Sequence, residues 1–291
     1  MSNTTTKARP AVSVDELRRA WAAVQAGHFR RGAGRDLTQA PRIGTPDAGG
    51  WRPAAGEQII AVLGCAGSVG ASTVALAVGL AAPSPVRVVE CCSVNASGLA
   101  AASTAELGLH PAGWRQGRRE HVLLERVSEV LVHIDEVPLP TNADQDKQLT
   151  ILDAGWQVSQ LLATPCWLSG AIQSADAVVL VTTATVPGMR RLESALELFA
   201  NDRARVAVVG PRRKRWPKGV ELSAGSATHR VLAGQRWVEI PEDRALAITG
   251  LDSRPIPDAV VEAGRRLLDH LPRPDAGEDT WHSEGTPTWN R

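Results

Sequence analysis

The stretch GCAGSVGASTVALA, residues 64–77, follows the apolar run IIAVL and decides the fold. A buried strand, a glycine-rich turn and a helix that opens with Ser72 and Thr73 form the arrangement in which backbone N–H groups converge on a phosphate. The usual phosphate loop reads G-x-x-x-x-G-K-[ST], and its lysine reaches the β- and γ-phosphates of a nucleotide. Ala71 stands at the lysine position. The stretch therefore predicts a strand-turn-helix unit of the phosphate-loop type without its cation.

Outward from this loop, short apolar runs alternate with helical patterns over residues 57–271. The apolar runs predict strands at 59–64, 86–91, 121–127, 129–135, 149–155, 177–183, 206–210 and 236–240. The helical patterns predict helices at 72–82, 96–106, 188–200, 223–233 and 257–271. Continuous apolar strands that alternate with helices are typical of a parallel sheet covered on both faces. We therefore predict a three-layer α/β domain with a mostly parallel sheet.

The regions that flank this domain differ from it in composition. Residues 1–12 and the tail 272–291 are polar and aperiodic, and we predict that both are disordered. Residues 30–56 are rich in Gly, Pro and Arg, which is typical of a linker. Residues 13–29 show the spacing of an amphipathic helix. This helix either packs on its own domain or inserts three side chains into the groove of a partner: Leu17, Trp21 and Phe29.

The composition excludes several classes of protein. The 291 residues are 43% hydrophobic and carry a formal net charge of +1, which is not typical of a disordered or polyanion-binding chain. The apolar runs are shorter than the roughly 20 residues that a membrane helix needs, and the N-terminus lacks the apolar core of a secretory signal. The four cysteines form no C-x-x-C pair. We predict a cytoplasmic protein without a metal site or a membrane partner.

The loop resembles the deviant Walker A stretch of ParA/MinD-type partition and positioning ATPases, usually written K-G-G-V-G-K-[ST]-T. Five positions match that pattern: Gly67, Val69, Gly70, Ser72 and Thr73. Ala66 replaces the lysine that, in this family, reaches across a dimer, and Ala71 replaces the lysine of the ordinary phosphate loop. Ser68 replaces a glycine. The resemblance implies a P-loop NTPase-like fold.

Two further stretches extend the resemblance along residues 58–271. RVVECC, 87–92, is similar to the strand end that carries a D-x-D segment, with Glu90 at the first carboxylate and Cys92 at the second, which activates water in the family. LDAGW, 152–156, is similar to the D-x-x-G switch and keeps Asp153. The resemblance implies a nucleotide or anion site formed by Gly67, Ser68, Val69, Gly70, Ala71, Ser72, Thr73, Glu90 and Asp153.

The departures from the family pattern all weaken phosphate chemistry. Phosphoryl transfer depends on positive charge placed against the phosphates, and a charged hydrogen bond contributes about 1.5–3 kcal/mol. We predict a degenerate site with no catalytic residues and no cofactor. Two alternatives stay open. The turn persists only for packing, or Arg190, Arg191 or another cation replaces the lysines and the site binds ATP and Mg²⁺.

The run GPRRKRWPKG, 210–219, concentrates positive charge directly after a predicted strand. A cationic loop with an exposed aromatic ring, at the carboxyl edge of a sheet, suits the phosphates of nucleic acid or an acidic partner. The alternative is a solvated loop whose Trp216 folds back onto the sheet. The candidate residues are Arg212, Arg213, Lys214, Arg215, Trp216 and Lys218.

These features together predict a degenerate ParA/MinD-like protein that works through a protein partner. It would act as a scaffold or adaptor in DNA segregation, plasmid transfer or the positioning of a cellular assembly. One alternative is an active ATPase that forms a homodimer on ATP. A second alternative is a nucleic-acid-binding module that binds DNA through the basic loop 211–218.

Overall fold

The computed structural model describes residues 50–83, 85–141, 149–199 and 203–271. The chain divides into two units, residues 1–44 and 45–291, and all described residues belong to the second unit. The predicted helix 13–29, most of the predicted linker and the predicted disordered ends lie outside the described residues. Within the described residues, no helix is both long enough and apolar enough to cross a membrane.

A nine-stranded sheet forms the centre of the described domain. Its strands are β1 (Gln58–Gly64), β2 (Val86–Glu90), β3 (Ala105–Leu109), β4 (Trp114–Arg119), β5 (Val122–Val127), β6 (Leu149–Ala154), β7 (Ala177–Thr183), β8 (Ala204–Gly210) and β9 (Trp237–Pro241). Their order across the sheet is β3-β4-β5-β2-β6-β1-β7-β8-β9. Neighbours from β5 to β9 pair in parallel, whereas β4 pairs antiparallel with β3 and β5. The predicted mostly parallel α/β sheet is confirmed.

Helices cover both faces of the sheet and complete the three layers. They are α1 (Ala71–Ala81), α2 (Val158–Ala163), α3 (Trp167–Ser174), α4 (Val186–Leu198), α5 (Lys218–Leu222), α6 (Ser226–Ala233), α7 (Arg244–Thr249) and α8 (Asp258–Asp269). The apolar side chains of α1 and α8 join the core on one face, and those of α2 to α6 join the core on the other. The fold is therefore a three-layer α/β fold with a mostly parallel central sheet.

Helix α1 lies between the sheet and α8, which explains why its residues are small and apolar along almost its whole length. Residues Val74 to Gly79 are all buried. Gly264 of α8 lets the two helices approach closely, because a Cβ atom there would lie 2.5 Å from the carbonyl oxygen of Ala77. The close packing fixes the helix that follows the glycine-rich loop.

The predicted strand 129–135 does not form. The Glu136 carboxylate accepts hydrogen bonds from the N–H groups of Val132, at 2.7 Å, and His133, at 3.0 Å, so these donors are not available to a neighbouring strand. The segment instead ends in a single 3₁₀ turn at Ile134–Glu136. The apolar run EVLVHI thus belongs to a loop that follows β5, and its valines face solvent.

The predicted helix 96–106 is also wrong. The Glu90 carboxylate accepts hydrogen bonds from the N–H groups of Gly98, at 2.7 Å, and Leu99, at 2.9 Å, and from the Ser97 hydroxyl, at 2.5 Å. These bonds hold the segment as a loop against the end of β2. The chain then enters the β3–β4 hairpin, which the sequence analysis did not predict.

The residues directly before β1 pack on the domain. The Trp51 ring lies edge-on to Trp167, with 5.9 Å between centroids, and the Arg87 guanidinium lies 5.7 Å from the Trp51 centroid. Arg87 is completely buried and forms an ion pair of 2.9 Å with Glu57. The end of the predicted linker, from residue 51 onward, is therefore anchored to the sheet through a buried arginine.

Candidate functional site

A cleft of about 1070 Å³ opens at the carboxyl edge of the sheet, beside the glycine-rich loop. The carboxyl ends of β1, β6, β7, β8 and β9 all contribute to its lining, as do the first residues of α1. Ligands of open parallel sheets bind at this edge. The structure thus brings the predicted loop residues 67–73 and Asp153 together at one cleft. Glu90 lies directly behind this cleft.

The loop has the backbone geometry of an anion-binding turn. Gly70 adopts a left-handed conformation, with φ 89°, and its carbonyl accepts the hydrogen bond of Val74 N–H at 2.9 Å as α1 begins. Among the described residues, no hydrogen bond uses the N–H groups of residues 67 to 70. These donors, together with the partial positive charge of the α1 N-terminus, are available to a small anion.

Ser68 carries the strain of the loop. Its φ of 59° lies in the left-handed region, which costs a residue with a Cβ atom roughly 1–2 kcal/mol. The resembled family has glycine at this position, where the conformation is almost free of cost. Ser68 thus adopts a conformation that a glycine at this position would take with less strain.

Side-chain charge in the cleft is mostly negative. Arg191, exposed on α4, is the sole Lys or Arg among the described residues that line the cleft, whereas Asp153, Glu242 and Asp243 contribute carboxylates. Arg190 does not line it. Ala66 and Ala71 occupy the lining where the family pattern has lysines. Sequence reasoning missed the two acids at 242 and 243, because they follow β9 at a distance of some 170 residues from the loop motif.

Glu90 and Asp153 form a buried pair behind the loop. They lie opposite each other on the parallel strands β2 and β6, and their exposed fractions are 1% and 2%. Asp153 Oδ2 has no hydrogen-bond partner among the described residues. Burial and the charge of Glu90 raise the pKa of Asp153 to about 7, and the hydrogen bond from the Ser72 hydroxyl lowers it. Burial likewise raises the pKa of Glu90.

One cation approaches this pair from the far side. Arg126 on β5 is the register partner of Glu90, and its charge offsets part of the rise that burial causes in the pKa of Glu90. The same guanidinium forms two hydrogen bonds with the Glu106 carboxylate, at 2.7 and 2.8 Å, and one with the carbonyl of Ala100 at 2.7 Å. Its charge is thus shared with a second carboxylate, and no sequence motif pointed to it.

The residues present fit a magnesium nucleotide only in part. Ser72 and Asp153 are the residue types that such a site uses, and the loop amides suit phosphate oxygens. However, Gly98 packs directly on the Ser72 hydroxyl, since a Cβ atom at position 98 would lie 2.4 Å from Ser72 Oγ. With alanines at 66 and 71, the cleft does not match the charge of a triphosphate.

The thiols near the cleft are not nucleophiles. Cys65 lines the cleft, and burial raises the pKa of its thiol to about 12. Cys92 is buried beside Gly155, and burial and the nearby Glu90 raise the pKa of its thiol well above the ordinary value. Both thiols are protonated at neutral pH, so neither acts as a thiolate.

The basic loop after β8 is only partly a solvent-exposed cluster. Trp216, which is 8% exposed, donates its indole N–H to the Pro211 carbonyl at 2.8 Å and lies 6.0 Å from the Trp237 ring. Arg213 pairs with Glu221 at 3.3 Å and donates a hydrogen bond to a backbone carbonyl of α6. Of the two alternatives for Trp216, the exposed ring is wrong and the ring folded back onto the sheet is the one observed, because this ring packs in the core.

The remaining candidate residues are placed as follows. Arg212, Lys214, Arg215 and Lys218 are exposed on the loop, and none of them lines the cleft, although Pro211 does. The structure therefore keeps the basic loop and the cleft as two separate features of the same sheet edge. Leu17, Trp21 and Phe29 lie outside the described residues.

The chain has a three-layer α/β fold with a glycine-rich loop at the carboxyl edge of its sheet, and no family model and no curated protein matches its sequence. Solved structures that it resembles include a plasmid partition protein from Borrelia burgdorferi bound to AMPPNP, with 13% identity, coverage of 73% of this chain and 97% of that one, and a TM-score of 0.47. A ParA family ATPase from Chlorobium tepidum is 13% identical, and the match covers 74% of this chain and 100% of that one with a TM-score of 0.44. MinD from Pyrococcus horikoshii with Mg-ADP is 15% identical, and the match covers 73% of this chain and 95% of that one with a TM-score of 0.46.

Proposed function

We propose that this protein is a ParA/MinD-like protein that no longer hydrolyses ATP and that acts as a scaffold or adaptor. The process it serves is DNA segregation, plasmid transfer or the positioning of a cellular assembly. The observation that carries the proposal is the charge of the cleft. The carboxylates of Glu242 and Asp243, the buried Asp153 and one exposed arginine line it, and alanines stand at the two positions where the family pattern has lysines.

The charge argument follows from the chemistry of phosphoryl transfer. The enzymes that perform it place fixed cations and a metal ion against the charge that develops on the phosphates, and such groups act mainly in the transition state. A single lost lysine weakens ground-state binding by about 1.5–3 kcal/mol, which is roughly a tenfold to hundredfold loss of affinity. The loss in rate is larger, because two cations are absent.

The cleft also lacks a group to activate water. Cys92 stands at the second carboxylate position of the family pattern, and its protonated thiol cannot orient a water molecule as a carboxylate does. Burial and the charge of Glu90 raise the pKa of Asp153 to about 7, so this carboxyl is only partly ionised at neutral pH. The framework is meanwhile intact, with a fixed loop, a packed α1 and a complete sheet. A rigid surface without turnover is what a binding role requires.

The rival function is an ATPase that uses Arg191 as its cation. Arg191 lines the cleft and forms no ion pair among the described residues, which makes it the natural substitute. Replacing Arg191 with Gln separates the two functions. Loss of ATP binding in that variant supports the rival, because an adaptor that does not use ATP has nothing to lose.

Restoring the lysine tests the proposal. We expect Ala71→Lys to bind MgATP roughly tenfold to hundredfold more tightly than the native chain, since one charged hydrogen bond is regained. Ala71→Met is the matched control, because it adds a side chain of similar length without charge. Isothermal titration calorimetry measures the three affinities. Micromolar binding of MgATP by the native chain, with no gain in Ala71→Lys, would contradict the proposal.

A further inference from the structure

Exposed apolar side chains collect at one end of the sheet. Nine large apolar side chains are exposed among the described residues, and six of them lie on the edge strand β3 or on the loops that follow β2 and β5. We name these six the apolar edge: Val94, Leu107, Leu109, Val130, Val132 and Leu139. Large exposed apolar patches on a folded chain mark sites of interaction.

Two hydrogen bonds join the loops that carry the valines. The N–H group of Val94 donates to the Glu129 carbonyl at 3.0 Å, and the N–H group of Leu131 donates to Ser93 Oγ at 2.9 Å. The loop after β2 therefore lies directly against the loop after β5. Val94 thus lies beside the segment that carries Val130.

Trp114 joins the leucines to the same surface. Its indole N–H donates to the Leu139 carbonyl at 2.8 Å, and its backbone carbonyl accepts the N–H group of His110 at 2.8 Å. Leu109, at the end of β3, directly precedes His110. Trp114 thus contacts the chain at Leu139 through its indole ring and beside Leu109 through its backbone carbonyl.

The valines are fixed in their exposed positions. Ile134 and Val137 of the same loop are buried, and the Trp167 indole N–H donates to the Val137 carbonyl at 2.7 Å. Val130 and Val132 nevertheless remain 64% and 69% exposed. The two side chains therefore bury little surface in the core, although the loop around them is anchored.

Strand addition does not suit this edge. The pairing of β3 with β4 shifts register between Glu106 and Gly108, and Gly108 has φ 101°. A bulge of this kind bends an edge strand and protects it from pairing with another chain. The apolar edge therefore offers side chains to a partner, rather than a backbone ladder.

The charge around the valines selects the partner. Residues 128–141, which carry the valines, contain the exposed Glu129, Asp135 and Glu136 and no Lys or Arg. The Glu136 carboxylate also accepts hydrogen bonds from two backbone N–H groups of this loop, and at the β3 end the exposed Arg115 lies opposite Leu109. Carboxylates at the border of an apolar patch repel an anionic lipid surface and attract a basic partner. An apolar stripe flanked by basic residues on one helix presents both features that this surface matches.

We infer that the apolar edge is the docking surface for an amphipathic helix of a partner protein, whose apolar stripe is flanked by Arg or Lys. The inference rests on the proposed adaptor function and names its partner surface. The apolar side chains supply the affinity, and the carboxylates select the charge of the partner. The cleft and its loop take no part in this contact.

A fluorescent peptide tests this surface on the full chain without nucleotide. The probe is an amphipathic peptide of about 18 residues, five helical turns, with a leucine stripe and arginine flanks. A second peptide has the same stripe and glutamate flanks. We expect micromolar binding of the basic peptide, with the acidic peptide roughly tenfold weaker. The variant Val130→Ser/Val132→Ser loses roughly tenfold in affinity, whereas Leu222→Ser, which removes an exposed leucine elsewhere, changes nothing.

Four results would overturn the inference. They are the absence of binding by the basic peptide, equal affinity for both peptides, equal loss in Leu222→Ser, and a dimer of the native chain that Val130→Ser/Val132→Ser dissociates in sedimentation. The last result would make a second copy the occupant. The chain with Glu129→Gln/Asp135→Asn keeps the apolar stripe and loses the preference for basic flanks. ATP hydrolysis by the native chain would contradict the proposed function and leave the peptide result unchanged.

Discussion

Replacing Asp153 with Asn is expected to raise the free energy of unfolding by about 2–4 kcal/mol above pH 7. Burial and the charge of Glu90 raise the pKa of Asp153 from 3.8 to about 7 in the folded chain. Between these two values the folded state binds more protons than the unfolded state, so stability falls as the pH rises. The amide removes the buried charge and the penalty with it. Urea unfolding across the pH range measures the effect.

The pH dependence distinguishes this effect from a change in packing. The advantage of Asp153→Asn is full above pH 7, shrinks as the pH falls, and vanishes near the ordinary pKa of an aspartate. Asp269→Asn is the matched control, because it removes an exposed carboxylate outside the site and changes stability little. A variant that is less stable than the native chain above pH 7 would mean that an unseen cation neutralises Asp153.

Replacing Arg87 with Met is expected to lower the free energy of unfolding by about 3–5 kcal/mol. The buried guanidinium pairs with Glu57 at 2.9 Å and with Glu125 at 3.6 Å, and donates a hydrogen bond to Thr150 at 2.6 Å. Its removal leaves two buried carboxylates without their cation. Urea unfolding of the full chain measures this decrease in the free energy of unfolding.

A second substitution shows whether the loss comes from charge. Glu57→Gln combined with Arg87→Met removes one orphaned carboxylate, and we expect it to be more stable than Arg87→Met alone. Arg87→Lys keeps the positive charge but lacks the planar guanidinium group. Its free energy of unfolding should therefore lie between those of the native chain and Arg87→Met. If the double variant is the least stable of the three, the network does not act through charge balance.

The strands that could be predicted well from the sequence are those with long apolar runs. β1, β2, β5, β6 and β7 are buried along most of their length, and such runs leave little choice of structure. The run EVLVHI looks equally apolar, yet one carboxylate from Glu136 takes the N–H groups that a strand would use. Whether this run forms a strand depends on a hydrogen-bonded contact within five residues, and hydrophobic periodicity does not reveal such a contact.

The candidate site was predicted through one local motif, and its electrostatics were not. The loop 64–73 and Asp153 could be placed because carboxyl ends of parallel strands meet at one sheet edge. Glu242, Asp243 and Arg126 come from segments without a motif, so their contribution follows only from the folded chain. The loop around Gly98 is a similar case, because Glu90 holds it against Ser72.

The fate of Trp216 illustrates the same limit. A tryptophan within a basic run suits both an exposed platform and a core anchor, and local sequence does not separate the two. Its contacts with Pro211 and Trp237 show that it is an anchor. The exposed Arg and Lys side chains of the loop therefore lie around the buried Trp216, which holds the loop in place.

The most direct test of a cleft without catalytic activity is an ATP turnover assay. The purified full chain is incubated with ATP and Mg²⁺, and the release of inorganic phosphate is measured. Ser72→Ala is the control, because it removes the hydroxyl that a phosphate-loop enzyme requires for its metal ion. We expect no phosphate release above the protein-free rate, and the same result for the native chain and for Ser72→Ala. Magnesium-dependent turnover by the native chain that Ser72→Ala abolishes would contradict the proposed function.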